Sequence, residues 1–189
     1  MIKPLVVGIG GTLRAGSTNE LALRLALEAA AEAGATTQAF CGEDLGLPFY
    51  DPTSPERTDK AKNLVEALRA ASGVIVASPG YHGGLSGIIK NAIDYIEDMA
   101  KDDRVYLEDL PFGCISVAFG SQAAVAVLSN LRNIAHALRA YPTPYGAAIV
   151  GGPKIFAEGA CLDENVAGQL RLVGKQVTDM AIRSLRVAA

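Results

Sequence analysis

The chain has 189 residues, half of them hydrophobic, a net charge of −3 and a pI near 5.4. That length suits one domain with a substantial core, so residues 1–189 are expected to fold as a single unit. No basic surplus favours nucleic acid or an anionic membrane, no charged-then-apolar leader is present, and no apolar run approaches the roughly 20 residues that span a bilayer; small molecules and proteins remain as partners, and a cytoplasmic location is expected.

The first apolar run, at about residues 4–10, reads as a buried strand, and a helical run starts near Glu20. Between them lies Gly11-Thr12-Leu13-Arg14-Ala15-Gly16-Ser17-Thr18-Asn19. Its glycines allow close approach of a ligand to the backbone. Thr12, Ser17, Thr18 and Asn19 offer short donors, Arg14 offers a planar cation, and the helix N-terminus favours an anion. The loop therefore has the make-up of a phosphate cradle, although an ordinary turn capped by Ser17 or Thr18 uses the same residue types. Gly11 and Gly16 have the spacing of G-x-x-x-x-G-K-S/T, but Ser17 stands where the lysine must be. A G-x-G-x-x-G motif beginning at Gly8 and Gly10 meets Leu13 in place of its third glycine. A single phosphate monoester fits better than a triphosphate or a dinucleotide. In the helix that follows, Glu20, Arg24, Glu28 and Glu32 read as one solvated stripe of structural charge.

Further strands are expected at 36–41, 73–78, 112–119 and 145–150. The second helix should bury Ala61, Leu64, Val65 and Leu68, the third Ile89, Ala92, Ile93 and Ile96, and the fifth should run from about Asp163 to Val187. Strand and helix alternate five times, and the near-continuous apolar strands imply a parallel sheet covered on both faces. The expected architecture is three-layer α/β: a doubly wound, five-stranded parallel sheet in the order 2-1-3-4-5, flavodoxin-like, with ligands beyond the carboxyl ends of the strands. The loop after the third strand, Ser78 to Gly87, is rich in glycine yet carries Pro79, Tyr81 and His82. Such a loop presents backbone groups to the edge of a flat heterocycle, with Pro79, Gly80, Tyr81, His82 and Gly83 as candidate contacts. Gly120 and Ser121, after the fourth strand, are candidates for the other side of the ring, and a capped helix start explains them equally well.

Cys41, Cys114 and Cys161 have no disulfide or metal spacing and read as reduced core thiols. With only His82 and His136, no histidine metal site is expected, and no metal is assigned.

These two loops resemble those of the NAD(P)H-dependent FMN reductases of flavodoxin-like fold, which include related quinone, azo-dye and chromate reductases. The phosphate-loop pattern G-S-x-R-x-x-S-x-N is matched by Gly11, Thr12, Arg14, Ser17 and Asn19. The ring-loop pattern P-x-Y-x-G, followed by S/P-G-x-x-K-N-x-x-D-Y/W, is matched by Pro79, Tyr81, Gly83, Ser86, Gly87, Lys90, Asn91, Asp94 and Tyr95. The resemblance implies FMN, with its phosphate on Thr12 to Asn19 and its isoalloxazine against Pro79 to Gly83. It also implies NADPH or NADH as co-substrate and ping-pong hydride transfer through FMN to a free flavin, quinone, azo compound or similar acceptor. The segment Leu47-Pro48-Phe49-Tyr50-Asp51 resembles one that packs near the flavin, often that of a neighbouring subunit, and a homodimer or homotetramer is implied. Many relatives carry Glu and Asn where this chain has Gly80 and His82. The hydride chemistry belongs to the cofactor, so no side chain is singled out as catalytic. An electron-carrying flavodoxin or a non-catalytic FMN sensor is the alternative; a flavodoxin's T/S-x-T-G-x-T loop is not matched by Thr12 to Ser17.

Overall fold

The computed structural model describes residues 3–187. Strands β1 (Leu5–Gly10), β3 (Gly73–Tyr81) and β5 (Pro111–Ala118) are buried along nearly their whole length. That burial requires cover on both faces, which explains why their sequences show no polar alternation. β2 (Thr36–Phe40) pairs with β1, and β6 (Tyr141–Pro142) and β7 (Ala147–Val150) both pair with β5. All these pairings are parallel, in the order β2-β1-β3-β5 followed by β6 and β7. With β6 and β7 taken as one interrupted strand, this is the expected flavodoxin-like order. The strand expected at 145–150 forms as β7, and β6 is a short additional pairing ahead of it. Pro142 and Pro144 supply no N–H for continuous pairing, and regular pairing resumes at Ala147.

Helices α1 (Thr18–Glu32) and α5 (Glu164–Val187) cover one face of the sheet; α2 (Asp59–Ala70), α3 (Gly87–Asp94) and α4 (Ser121–Ala137) cover the other. Because successive strand side chains point to opposite faces, Val6, Ile75 and Ile115 join Leu23, Leu170 and Val173 in one core, while Val7, Val74 and Phe112 join Leu64, Ile89 and Leu131 in the other. The apolar positions expected of the second and third helices are all buried, but Ile96 lies in a 3-10 segment, Tyr95–Met99, that tightens the end of α3.

The α1/α5 layer lies unusually close to the sheet and to itself. A Cβ on Gly8 would come within 2.7 Å of a Leu27 methyl, and one on Gly113 within 2.8 Å of a Val173 methyl. Where the two helices meet, a Cβ on Gly174 would overlap the backbone carbonyl of Ala26, which cannot move aside as a flexible side chain would. The Arg104 guanidinium donates to the carbonyls of Leu68, Arg69 and Ala71 and so closes the C-terminal end of α2.

Cys41 and Cys114 are buried, as expected, and burial pushes their thiols up to about 11 and about 12. Cys161 is a correction: it is only partly buried, in a small hairpin of β8 (Phe156–Ala157) and β9 (Ala160–Cys161) that packs at the margin of the α1/α5 core. A thiol reagent at pH 8 is expected to modify Cys161 first and to reach the other two only on unfolding; simultaneous reaction of all three would contradict this burial. Gly174→Ala is expected to lower stability by about 2–3 kcal/mol, read as a lower urea midpoint, because backbone must shift to admit the methyl.

Candidate functional site

The loops at the carboxyl ends of β1, β3, β5 and β7 enclose a cleft of about 510 Å3. Thr12, Arg14, Ser17, Thr18 and Asn19 line one side; Pro79, Gly80 and Tyr81 line another. These eight expected site residues come together even though some 60 residues of chain separate the two loops.

The first loop is shaped by left-handed backbone at Gly11 (φ +103°) and Gly16 (φ +69°), conformations that strain other residues. Ser17 caps α1 in extended conformation, its Oγ accepting the Glu20 N–H at 3.3 Å. The Asn19 Oδ1 accepts the Gly11 N–H at 2.7 Å, which points the amide back across the loop. Its Nδ2 is buried without a hydrogen-bond partner in the protein, at a residue that lines the cleft. Thr12 Oγ1 bonds the backbone of Arg14 at 3.2 Å and leaves that guanidinium exposed at the cleft.

Glu20 departs from the expected solvated stripe. It is only 6% exposed: one carboxylate oxygen accepts the Gly16 N–H at 3.0 Å, and the other meets the Arg24 guanidinium at 2.7 Å. The Glu20 carboxylate in turn raises the Arg24 pKa above its usual value. Glu20 thus braces the loop from behind, and Arg24 neutralises a carboxylate that would otherwise repel an anion in the cradle.

β3 runs three residues past its expected end and turns back on β4 (Gly84–Leu85), pairing Gly80 with Leu85 and Tyr81 with Gly84. The two connecting residues, His82 and Gly83, both have positive φ (50° and 85°), as a two-residue hairpin with primed turn geometry requires. His82 and Gly83 are exposed at this tip and do not line the cleft. Gly80 does, and a Cβ there would press on Ala118 at 3.0 Å. Ser78 Oγ accepts the Ser86 N–H at 3.0 Å, tying the start of α3 to β3. Gly120 stands at the N-cap of α4 and Ser121 begins it; both are exposed, and neither lines the cleft.

Five lining residues escaped the sequence reading: Val117, Ala118, Phe119, Gly151 and Gly152. Val117 and Ala118 end β5, Phe119 follows it, and Gly151-Gly152 follows β7 directly. A glycine pair at the carboxyl edge of a parallel sheet was the available signal for the latter two.

The segment Leu47 to Asp51 is held by the second half of the ring-loop motif. Asn91 Oδ1 accepts the Tyr50 N–H at 2.9 Å, Asn91 Nδ2 donates to Pro48 O at 2.9 Å, and Tyr95 Oη donates to the same carbonyl at 3.0 Å. Arg57 lies over the Tyr50 ring and pairs with Asp98 at 2.7 Å, holding that carboxyl below its usual range. This anchoring presents Phe49 outward, 91% exposed. Asn91 and Tyr95 therefore position a neighbouring segment, while Lys90 and Asp94 pair with each other on the surface.

Glu20→Ala is expected to lower stability by on the order of 2 kcal/mol, since it strands the Gly16 N–H and the Arg24 guanidinium. Hydrogen exchange should accelerate at Gly16 more than in the β5 core; uniform acceleration, or none, would refute the bracing role.

A family model described as NADPH-dependent FMN reductase matches residues 4–153. The FMN-dependent NADPH-azoreductase of Staphylococcus aureus (strain USA300) is 33% identical over 93 residues, 49% of this chain and 46% of that protein. That of Staphylococcus haemolyticus (strain JCSC1435) is 29% identical over 120 residues, 56% and 60% of the two chains. The chain thus spans only about half the length of the curated relatives it matches. Among solved structures, FerB, a flavoenzyme NAD(P)H:(acceptor) oxidoreductase from Paracoccus denitrificans, superimposes with a TM-score of 0.74 over 96% of this chain and 98% of that one, at 20% identity, which bears on the fold alone. The match of the family model to most of the chain, over the cleft and the loops that build it, shows that this protein belongs to the NADPH-dependent FMN reductases, a family of FMN-handling oxidoreductases.

Proposed function

We propose that this chain is an NAD(P)H-dependent oxidoreductase that holds FMN in the cleft and passes reducing equivalents to a small acceptor such as a free flavin, a quinone or an azo compound. One observation carries the reading: the unpartnered Asn19 Nδ2 is buried in the first turn of α1, in the cleft wall that also holds the exposed Arg14 guanidinium. A phosphate monoester meets both needs at once, satisfying a buried donor and neutralising a cation. The rest of the donor set fits the same group. Thr12, Ser17 and Thr18 bring hydroxyls, and Gly11 and Gly16 keep side chains out of the approach.

When bound, FMN supplies the hydride-accepting and hydride-donating chemistry. The protein binds and orients. Pro79, Gly80 and Tyr81 offer backbone groups to one edge of the ring, and Val117, Ala118 and Phe119 supply apolar wall. His82 and Gly83, at the hairpin tip, and Gly120 and Ser121, at the start of α4, adjoin the lining residues Tyr81 and Phe119 in sequence without lining the cleft. No acid or nucleophile is required of the chain. Donor and acceptor that both reach FMN through this cleft would enter in turn, which is ping-pong kinetics. Activity toward azo compounds is supported by the matched azoreductases. A homodimer or homotetramer is supported by Phe49, almost wholly exposed between the anchored Pro48 and Tyr50. Among the described residues no helix is long and apolar enough to cross a membrane, in keeping with a proposed cytoplasmic site of action.

The decisive experiment is anaerobic titration of FMN-loaded protein with NADPH and then NADH. Bleaching of the bound-flavin band by about one hydride equivalent per subunit is expected; binding without bleaching would indicate a carrier, and failure to bind FMN would overturn the reading. Arg14→Ala is expected to weaken FMN binding roughly 10- to 100-fold, the loss of a charge-assisted phosphate contact.

A further inference from the structure

A second cavity, of about 470 Å3, adjoins the cleft and shares Phe119, Gly151 and Gly152 with it. Lys154, Ile155 and Leu162 line its far side. The shared wall is built rather than accidental. Phe119 is 86% exposed, yet its ring lies so near the Gly152 backbone that a Cβ there would come within 2.8 Å of it. The Gly151 N–H donates to Ala118 O at 2.9 Å, the Ile155 N–H to Gly152 O at 3.1 Å, and the Leu162 N–H to Ile155 O at 2.8 Å. These bonds hold two exposed apolar side chains, Phe119 and Leu162, around a space that water would otherwise fill.

Charge supplies the second half of the argument. Among the described residues Lys154 is exposed and forms no ion pair with a carboxylate. Asp163 also lines the cavity, but its Oδ1 is engaged in capping α5, accepting the Asn165 and Val166 N–H groups at 2.9 and 3.2 Å. A free ammonium and an aromatic plate therefore face one compartment, next to a cleft whose own phosphate donors lie on the Thr12 to Asn19 loop. That combination suits a second phosphate ester carried on a flat base.

Resting on the FMN and NADPH reading above, we infer that this second cavity seats the 2′-phosphoadenosine end of NADPH, with Lys154 on the 2′-phosphate and Phe119 against the adenine. Lys154 is then a specificity-determining residue that separates NADPH from NADH, because only the former carries the group it meets. The dinucleotide would cross from cleft to cavity past Phe119, Gly151 and Gly152, the residues that line both.

The test uses FMN-loaded protein and a probe that has no nicotinamide, adenosine 2′,5′-bisphosphate, with 5′-AMP as the comparison, both titrated calorimetrically. The wild-type protein is expected to prefer the bisphosphate by about tenfold, and Lys154→Gln to abolish the preference. Lys175→Gln, a charge-matched change on α5 where Lys175 pairs with Asp179, is expected to leave the preference intact. In turnover, Lys154→Gln should raise KM for NADPH about tenfold more than KM for NADH. No bisphosphate preference in the wild type, an unchanged preference in Lys154→Gln, or an effect confined to a sulfonated azo acceptor would overturn the inference. If the wild type fails to load FMN or to be bleached by NADPH, the functional reading itself fails; if it loads and bleaches normally and only the Lys154 difference is missing, this inference alone fails.

Discussion

Contact between α1 and the layer beneath it is the constraint on which the site depends. The first turn of α1 is also one wall of the cleft, so the height of this helix above the sheet sets where Ser17, Thr18 and Asn19 stand. Small residues bring it down: Gly8 under Leu27, and Gly174 of α5 against the Ala26 carbonyl. Dispersion falls steeply with separation, so a helix seated this closely is held in one position by many weak contacts. A core normally regarded as serving stability here also sets the geometry of binding.

The phosphate-loop residues divide into those that face the cleft and those that hold them. Glu20 and Asn19 are neighbours in sequence yet act on opposite ends of the loop, one receiving the Gly16 N–H and the other the Gly11 N–H. The loop is thereby shaped by the protein's own acceptors, which lowers the ordering cost of binding an anion. The same division recurs in the motif around α3, where Asn91 and Tyr95 hold the Leu47 to Asp51 segment, and Pro79 to Tyr81 line the cleft. Matching a motif thus identifies residues that act together, while contacts reveal which of them line the cleft.

Phe119 links the described cleft to the region beyond it. It directly follows β5, rests on Gly152, and lines both cavities, so its position depends on chain segments meeting at the edge of the sheet. An apolar ring kept in solvent by its own packing partners is a feature of binding surfaces rather than of cores.

Much of this arrangement was legible in the chain itself. Continuous apolar runs at β1, β3 and β5 identify a doubly covered parallel sheet, since strands buried on both faces need no polar alternation. The donor-rich loop before α1 and the glycine-rich loop after β3 mark the two walls, because backbone freedom and short donors are local properties. Glu20 misled because helical periodicity reports one face of a helix and cannot show that a loop folds back over its first turn. His82 is expected as a ring contact; left-handed backbone at His82 and Gly83 places both at a hairpin tip, outside the cleft lining. Phe119, Gly151, Gly152 and Lys154 were passed over because each acquires meaning only from the others. Strand, helix and loop chemistry follow from nearest neighbours along the chain and were set by sequence alone; which residues face a shared cavity depends on how distant segments pack, and only the tertiary structure decided that.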